Sequence, residues 1–239
     1  MKNIELLAFV NADEPARVAA GTTRPHLTRA AGDKIRKTKA ALLLCGLLAL
    51  AMPAASIAGP GAEPSAALTN AVILVIRHAE KPASGHDLSP AGKVRATAYV
   101  NYFKNFTVAG QPLKLDYIFA TADSKGSHRP RLTVEPTGKA FGLAVDSRFS
   151  DKDFQAQAEE IRSKPHGRAI LIAWHHGQIP ALLRALGADP DKVIPNAKWP
   201  DDVFGWVIQL RFDADGRLVE TKRINEHLMP DDLDQPAEK

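Results

Sequence analysis

Two runs of consecutive apolar residues, 71–76 (Ala-Val-Ile-Leu-Val-Ile) and 169–173 (Ala-Ile-Leu-Ile-Ala), constrain this chain more than any other feature. Each has the length of a strand and is rich in β-branched residues, without the polar alternation that a sheet with one wet face imposes. Such strands need cover on both faces, and the segments between them supply it. Ser89-Pro90 reads as N-cap and first helical residue, opening a helix whose Val94, Ala98, Tyr102 and Phe106 repeat every four residues. Residues 115–121 predict a second short strand, and 132–141 a helix bent or broken at Pro136 and stopped by Gly142. After a weak extended stretch at 145–149, residues 153–162 have the composition of a surface helix. Ile179, Leu182, Leu183 and Leu186 form an i, i+3, i+4, i+7 stripe behind the second buried strand. This alternation argues a three-layer α/β/α sandwich with a mostly parallel sheet. Residues 203–212 and 218–224, joined through Asp213-Ala-Asp-Gly-Arg217, read as a closing hairpin, so the sheet is expected to be mixed.

The net charge of +4 suggests an acidic partner until its distribution is examined. Of 31 Lys and Arg and 27 Asp and Glu, 8 and 4 lie in residues 1–58, which leaves 23 of each sign for residues 59–239. The body is formally neutral, which speaks against a nucleic-acid-binding stripe. The basic excess belongs to Lys34, Arg36, Lys37 and Lys39, followed by an apolar run over 40–52 and small residues at Ser56 and Ala58. That is the pattern of a signal peptide over 34–58, and it predicts export to a periplasm or the outside. The run ends at Pro53, short of a membrane span, so cleavage is read ahead of a retained anchor. Residues 1–33 read as an over-extended start or a leader, 59–69 as a flexible Pro/Gly/Ala/Ser linker, and 70–239 as one domain. The single cysteine, Cys45, falls inside the apolar run, so the body has no thiol. This removes a cysteine nucleophile, a disulfide framework and thiolate zinc sites together.

The chemistry sits just beyond the two buried runs. Arg77-His78-Ala79-Glu80-Lys81 follows the first, and Trp174-His175-His176-Gly177 the second, with Arg129 in Ser127-His128-Arg129-Pro130-Arg131-Leu132-Thr133 between them. Ligands of open α/β sheets bind beyond the carboxyl ends of strands, so two imidazoles and two guanidiniums can converge on one crevice. Planar guanidiniums suit the oxygens of a phosphoryl group, and imidazole is available as a neutral base near neutral pH.

These residues resemble the histidine phosphatase superfamily, the phosphoglycerate-mutase-like phosphatases. Arg77-His78-Ala79-Glu80 is similar to its Arg-His-Gly/Ala-Glu signature, and Leu88-Ser-Pro-Ala-Gly-Lys-Val-Arg-Ala96 to its Leu-Ser/Thr-x-x-Gly-x-x-Arg-Ala stretch. Arg129-Pro-Arg-Leu-Thr133 is similar to its Arg-Ala-x-x-Thr, and Trp174-His-His-Gly177 to its second histidine segment. The resemblance implies that His78 is the nucleophile that becomes phosphohistidine, with Arg77, Arg129 and His176 holding the phosphoryl oxygens. His176 is preferred to His175 because the family places Gly directly after this histidine; His175 and Glu80 then border the pocket. It implies no metal and no cofactor, and a small phosphorylated substrate as the partner. General acids of the family come from the segment before the second histidine, where Asp151, Asp153 and Glu159 are candidates, with Asp123 just ahead; none sits in a matching motif. Without an acid, phosphoramidates or aryl phosphates would be the favoured substrates.

Other readings compete. His78-Ala79-Glu80 also fits the His-x-Glu of zinc deaminases, but their distant Pro-Cys-x-x-Cys is missing. A phospholigand-binding protein without turnover keeps the four core residues, and a phosphomutase shares the chemistry without an insertion to cover its intermediate. Trp174 reads as packing, His86 and His128 as possible flanks of the entrance, and His166 and His227 as surface.

Overall fold

The computed structural model describes residues 65–232, so the leader, the signal-peptide segment and Cys45 lie outside the described residues. Strand β1 (Val72–Arg77) has all six residues buried and runs mid-sheet. Helix α1 (Pro90–Lys104) opens on the expected cap, with the Ser89 Oγ accepting from the Gly92 N–H at 3.0 Å. A small hairpin of β2 (Thr107–Val108) and β3 (Gln111–Pro112) follows, and then β4 (Tyr117–Ala120). Helix α2 (Arg129–Phe141) leads to β5 (Val145–Asp146), and α3 (Phe154–Ser163) to β6 (Ala169–Trp174). Helix α4 (Ile179–Ala185) and an irregular stretch precede the antiparallel pair β7 (Trp206–Phe212) and β8 (Leu218–Asn225).

The six-stranded sheet has the order β5-β4-β6-β1-β7-β8; β5, β4, β6 and β1 are parallel, and β7 is antiparallel to β1. Alternate residues of β1 and β6 feed two cores. Ile73, Val75, Ile170, Ile172 and Trp174 pack with Leu182, Leu183 and Ile161 on one face. Leu74, Ile76, Leu171 and Ala173 pack with Tyr99, Phe103 and Val134 on the other. The protein is therefore the mixed three-layer sandwich that the alternation of elements predicts. All four residues of the Ile179 stripe are fully buried.

Three local expectations are corrected. The buried face of α1 carries Gly92, Arg95, Ala96, Tyr99 and Phe103, whereas Val94 is 58% exposed. A period of four drifts around a 3.6-residue helix, and the buried position is polar Arg95. Helix α2 starts three residues early, at Arg129, and runs through Pro136 to a left-handed Gly142 cap with φ 69°. Ser65 and Leu68 do not belong to a flexible linker: Ser65 bonds Gly216 and Arg162, and Leu68 is fully buried in a core.

One charged group ties the layers together. Arg95 of α1 reaches Glu80, Glu226 after β8, and Asp232, and Tyr99 donates to Glu226 at 2.9 Å. Burial pushes the Glu226 carboxyl from 4.5 up to about 8, against the pull of Arg95 and the Tyr99 hydroxyl. Between these values the folded chain holds a proton that the unfolded chain releases, so this group's contribution to stability falls as pH rises. Replacing Glu226 with Gln removes that slope. The melting temperature of the wild type relative to E226Q is expected to decline from about pH 5 to pH 8; a pH-independent difference would refute a protonated Glu226.

Candidate active site

Parallel pairing of β1 with β6 places Arg77 opposite Trp174, and the His78 N–H bonds the Trp174 carbonyl at 3.0 Å. The next residues on each chain, His78 and His175, therefore meet with ring centroids 5.2 Å apart in an edge-to-face arrangement. His176, one residue further, is 6.5 Å away and has turned to Asp201, with Nε2 at 2.9 Å from the carboxylate. Its Nδ1 is buried without a partner among the described residues. This ordering differs from the sequence preference for His176. Proximity to Gly177 does not decide which imidazole faces His78; the strand register does.

His78 is almost wholly buried, and its Nδ1–H donates to the Ala79 carbonyl at 2.7 Å. A carbonyl only accepts, so in the neutral ring Nδ1 carries the proton and Nε2 the lone pair. The Ala79 N–H donates to Thr133 Oγ1 at 2.8 Å, and the same hydroxyl donates to the Arg129 carbonyl at 2.7 Å, linking the His78 loop to the first turn of α2.

Arg77 projects to the face of Ile73 and Val75, where its Nη1 donates to the carbonyls of Pro200, Asp201 and Val203 at 2.8–3.0 Å. Its guanidinium carbon lies 3.9 Å from the centroid of the Phe204 ring. Nε and Nη2 are buried and have no acceptor among the described residues. Arg129 is held by the carbonyls of Gly85, His86 and Gly126, and its Nε is buried and unpartnered too. Three guanidinium nitrogens are thus withdrawn from water beside an imidazole, with their hydrogen-bonding capacity unspent.

The charges shape the histidines. Burial, reinforced by Arg77, His175 and Arg129, lowers the His78 pKa to about 2. Burial and the same guanidiniums lower His175 to about 4, against the pull of Asp151. Burial brings Arg77 down to about 10. Both imidazoles are therefore neutral bases across the physiological range, and the positive charge rests on the arginines.

The remaining candidates are distributed as follows. Glu80 is turned to Arg95, whose Nε and Nη2 it accepts at 2.9 and 2.7 Å. Among the acid candidates, Asp123 pairs with Arg131, Asp153 accepts from Ser150 at the start of α3, and Glu159 is exposed on α3. Asp151 is felt electrostatically by His175, and its carbonyl accepts from the Trp174 indole at 3.2 Å. His86 and His128 lie beside Arg129, with rings 5.9 Å apart and His128 against Asp87 at 2.9 Å. Trp174 is core, as expected, and His227 is exposed, but His166 is not surface: it packs on Tyr117 and Phe119 at 4.5 and 5.1 Å. Sequence reasoning missed Asp201, Phe204 and the carbonyls of 200–203. No motif marks that segment, which reads as the start of the closing strand.

No protein-family model matches the sequence, and no curated protein matches it. Solved structures do. Phosphoglycerate mutase from Plasmodium falciparum is 19% identical, with 72% of this chain and 97% of that chain covered and a TM-score of 0.45. A mycobacterial glucosyl-3-phosphoglycerate phosphatase is 18% identical, with coverages of 65% and 98% and a TM-score of 0.44. The protein histidine phosphatase SixA, complexed with tungstate, is 13% identical, with coverages of 65% and 97% and a TM-score of 0.43.

The lowered values set a test that needs no substrate. In long-range nitrogen-15 NMR of the free protein, His78 is expected as the Nδ1–H tautomer, and neither His78 nor His175 takes up a proton between about pH 5.5 and 8. A titration of His78 with a midpoint near the ordinary histidine value would show that the ring is solvated and the site differently built.

Proposed function

We propose that this protein is a metal-independent phosphatase that hydrolyses phosphate monoesters or phosphoramidates through a phosphohistidine on His78. The observation that carries the reading is the set of three buried, unpartnered guanidinium nitrogens of Arg77 and Arg129 around a neutral His78. Each unsatisfied buried donor costs about 1–3 kcal/mol, and an anion with several oxygens satisfies them together.

The reaction runs as a double displacement. The His78 Nε2 lone pair attacks phosphorus while the bond to the leaving oxygen or nitrogen breaks. Arg77 and Arg129 take the charge that spreads over the equatorial oxygens, and catalysis is mostly this electrostatic positioning. His175, the imidazole that faces His78, is assigned the contact with the phosphoryl group. His176 is assigned a positioning role: with Asp201 it staples the 200–203 segment whose carbonyls hold Arg77. Asp151, beside His175, is the best placed of the acid candidates to protonate the leaving group. Water then attacks the phosphohistidine and gives its proton to Asp151, which the first step has left deprotonated, so that phosphate is released and the P–N bond pair returns to Nε2 as its lone pair.

The charged segment and apolar run within 34–58 support an exported enzyme that acts on small phosphorylated compounds. No helix among the described residues is long and apolar enough to cross a membrane.

Hydrolysis of p-nitrophenyl phosphate in EDTA by the wild type, H78A, H175A and H176A tests the assignment. Turnover is expected to survive chelation and to vanish in H78A. H175A is expected to lose about 10²- to 10³-fold in kcat, the size of effect seen when one preorganised donor is removed, and H176A about tenfold or less. Equal turnover in H78A and the wild type would overturn the mechanism, and a larger loss in H176A than in H175A would restore the sequence-based assignment.

A further inference from the structure

We infer that the segment after β8, gripped by Arg95 and Asp232, positions both the nucleophile and the phosphate-clamping arginine, so that residues 226–232 are a working part of the site. The inference rests on the phosphatase reading for its kinetic arm alone.

Arg95 has its five N–H groups fully used. Nε and Nη2 donate to Glu80 Oε1, Nη2 and Nη1 donate to the two oxygens of Asp232 at 2.6 and 2.9 Å, and Nη1 also donates to Glu226. The guanidinium is 1% exposed, Glu226 fully buried and Asp232 3% exposed, so water is largely kept from the bonds to these two carboxylates, while Glu80 is partly exposed. Asp232 is itself fixed, because its Oδ2 accepts the N–H groups of Leu228 and Met229 at 2.8 and 2.9 Å. Residues 228–232 therefore fold around the carboxylate that holds Arg95.

From this centre two arms reach the site. The first passes through Glu80, two residues beyond His78. Its side chain is held by Arg95, its carbonyl accepts the Ser89 N–H at 2.9 Å, and its backbone lies under Gly92, where a Cβ would stand 2.4 Å from the carbonyl oxygen. The second passes through Gly205, whose carbonyl accepts the Glu226 N–H at 2.9 Å and whose Cβ, if present, would stand 2.6 Å from the Asp232 carboxylate. Its neighbour Phe204 stacks under Arg77. The tail thus fixes the His78 loop from one side and the floor of Arg77 from the other. Arg95 and Asp232 touch no reacting atom; they are positioning residues.

Asp232→Asn and Gly205→Ala in the full chain test this. Asn keeps the shape but places an amide N–H₂ against a guanidinium; Ala pushes the carboxylate aside without touching any charge. Each variant is checked for folding by circular dichroism and thermal melting. Then kcat and KM for p-nitrophenyl phosphate and the nitrogen-15 signals of His78 are measured. The expected result is a kcat lower by about 10- to 100-fold, the scale of a misplaced reacting group, with KM changed by less than about threefold. The single Nδ1–H tautomer of His78 is expected to give way to a mixture. Arg95→Lys, which keeps a charge but cannot grip two carboxylates side by side, is expected to lower kcat and mix the His78 tautomers in the same way. If the folded variants melt earlier yet keep wild-type kcat and wild-type His78 signals, the tail is an ordinary structural anchor and the inference falls. If the wild type hydrolyses no phosphate ester, the phosphatase reading fails, and the His78 signals of the variants still decide the role of the tail.

Discussion

The parallel pairing of β1 with β6 is the constraint on which the rest of this structure depends. Val72 faces Ala169 and Arg77 faces Trp174, with every intervening residue buried on both strands. A slip of one residue would exchange the side chains of the two cores, Ile73 and Val75 on one side with Leu74 and Ile76 on the other, and so the register is strongly specified. Two residues 97 positions apart in sequence, His78 and His175, are brought together by hydrophobic packing several residues away. The site needs no contact of its own to assemble them.

What the site does need is a way to keep cations and imidazoles out of water. Burial opposes charge on all of them, which is why His78 falls to about 2 and His175 to about 4. The arginines resist because guanidinium starts so high: even about 10 leaves Arg77 charged at neutral pH. The same desolvation that would cripple a lysine here divides the charge, with neutral imidazoles and charged guanidiniums side by side. Carbonyls of 200–203 take Nη1 of Arg77 and leave its Nε and Nη2 free, and those of Gly85, His86 and Gly126 take both Nη groups of Arg129 and leave its Nε free, among the described residues. A carboxylate in that place would have tied up the donors.

The layer architecture was legible because unbroken β-branched runs and the Ile179 stripe are strong, local signals. The meeting of Arg77, His78 and Arg129 was legible as well, since these polar residues stand at strand and helix ends where packing does not require them. The face of α1 was misread because a search for apolar repeats passes over a buried guanidinium, and Arg95 is intelligible only with its three carboxylates, which come from distant parts of the chain. His166 was taken as solvated for the same reason in reverse: its aromatic neighbours Tyr117 and Phe119 lie about fifty residues earlier. The choice between His175 and His176 turns on a strand register that one sequence does not print. Residues 199–205 carry no pattern, because most of their work is done by backbone carbonyls, which any residue supplies.

The two halves of the site lean on opposite layers. By the period-two alternation of a strand, Arg77 continues the face of Ile73 and Val75, and His78 follows at the point where β1 ends. Arg77 is consequently held by the irregular segment before β7, and the loop that follows His78 by Thr133 of α2, which takes the Ala79 N–H, and by Glu80 against α1. An arrangement split in this way keeps its geometry only if its two supports hold still relative to each other. The two supports meet at the Arg95 cluster, which binds α1, Glu80, Glu226 and Asp232 around one guanidinium, with Gly205 of the irregular segment against Glu226 and Asp232. It sits where charge is most expensive to bury, with Glu226 retaining a proton near neutral pH to limit the surplus of carboxylates. Packed apolar side chains of similar volume would serve stability as well. What they would lack is direction: five N–H bonds fix angles as well as distances around Arg95, and the proposed in-line displacement at phosphorus would depend on both.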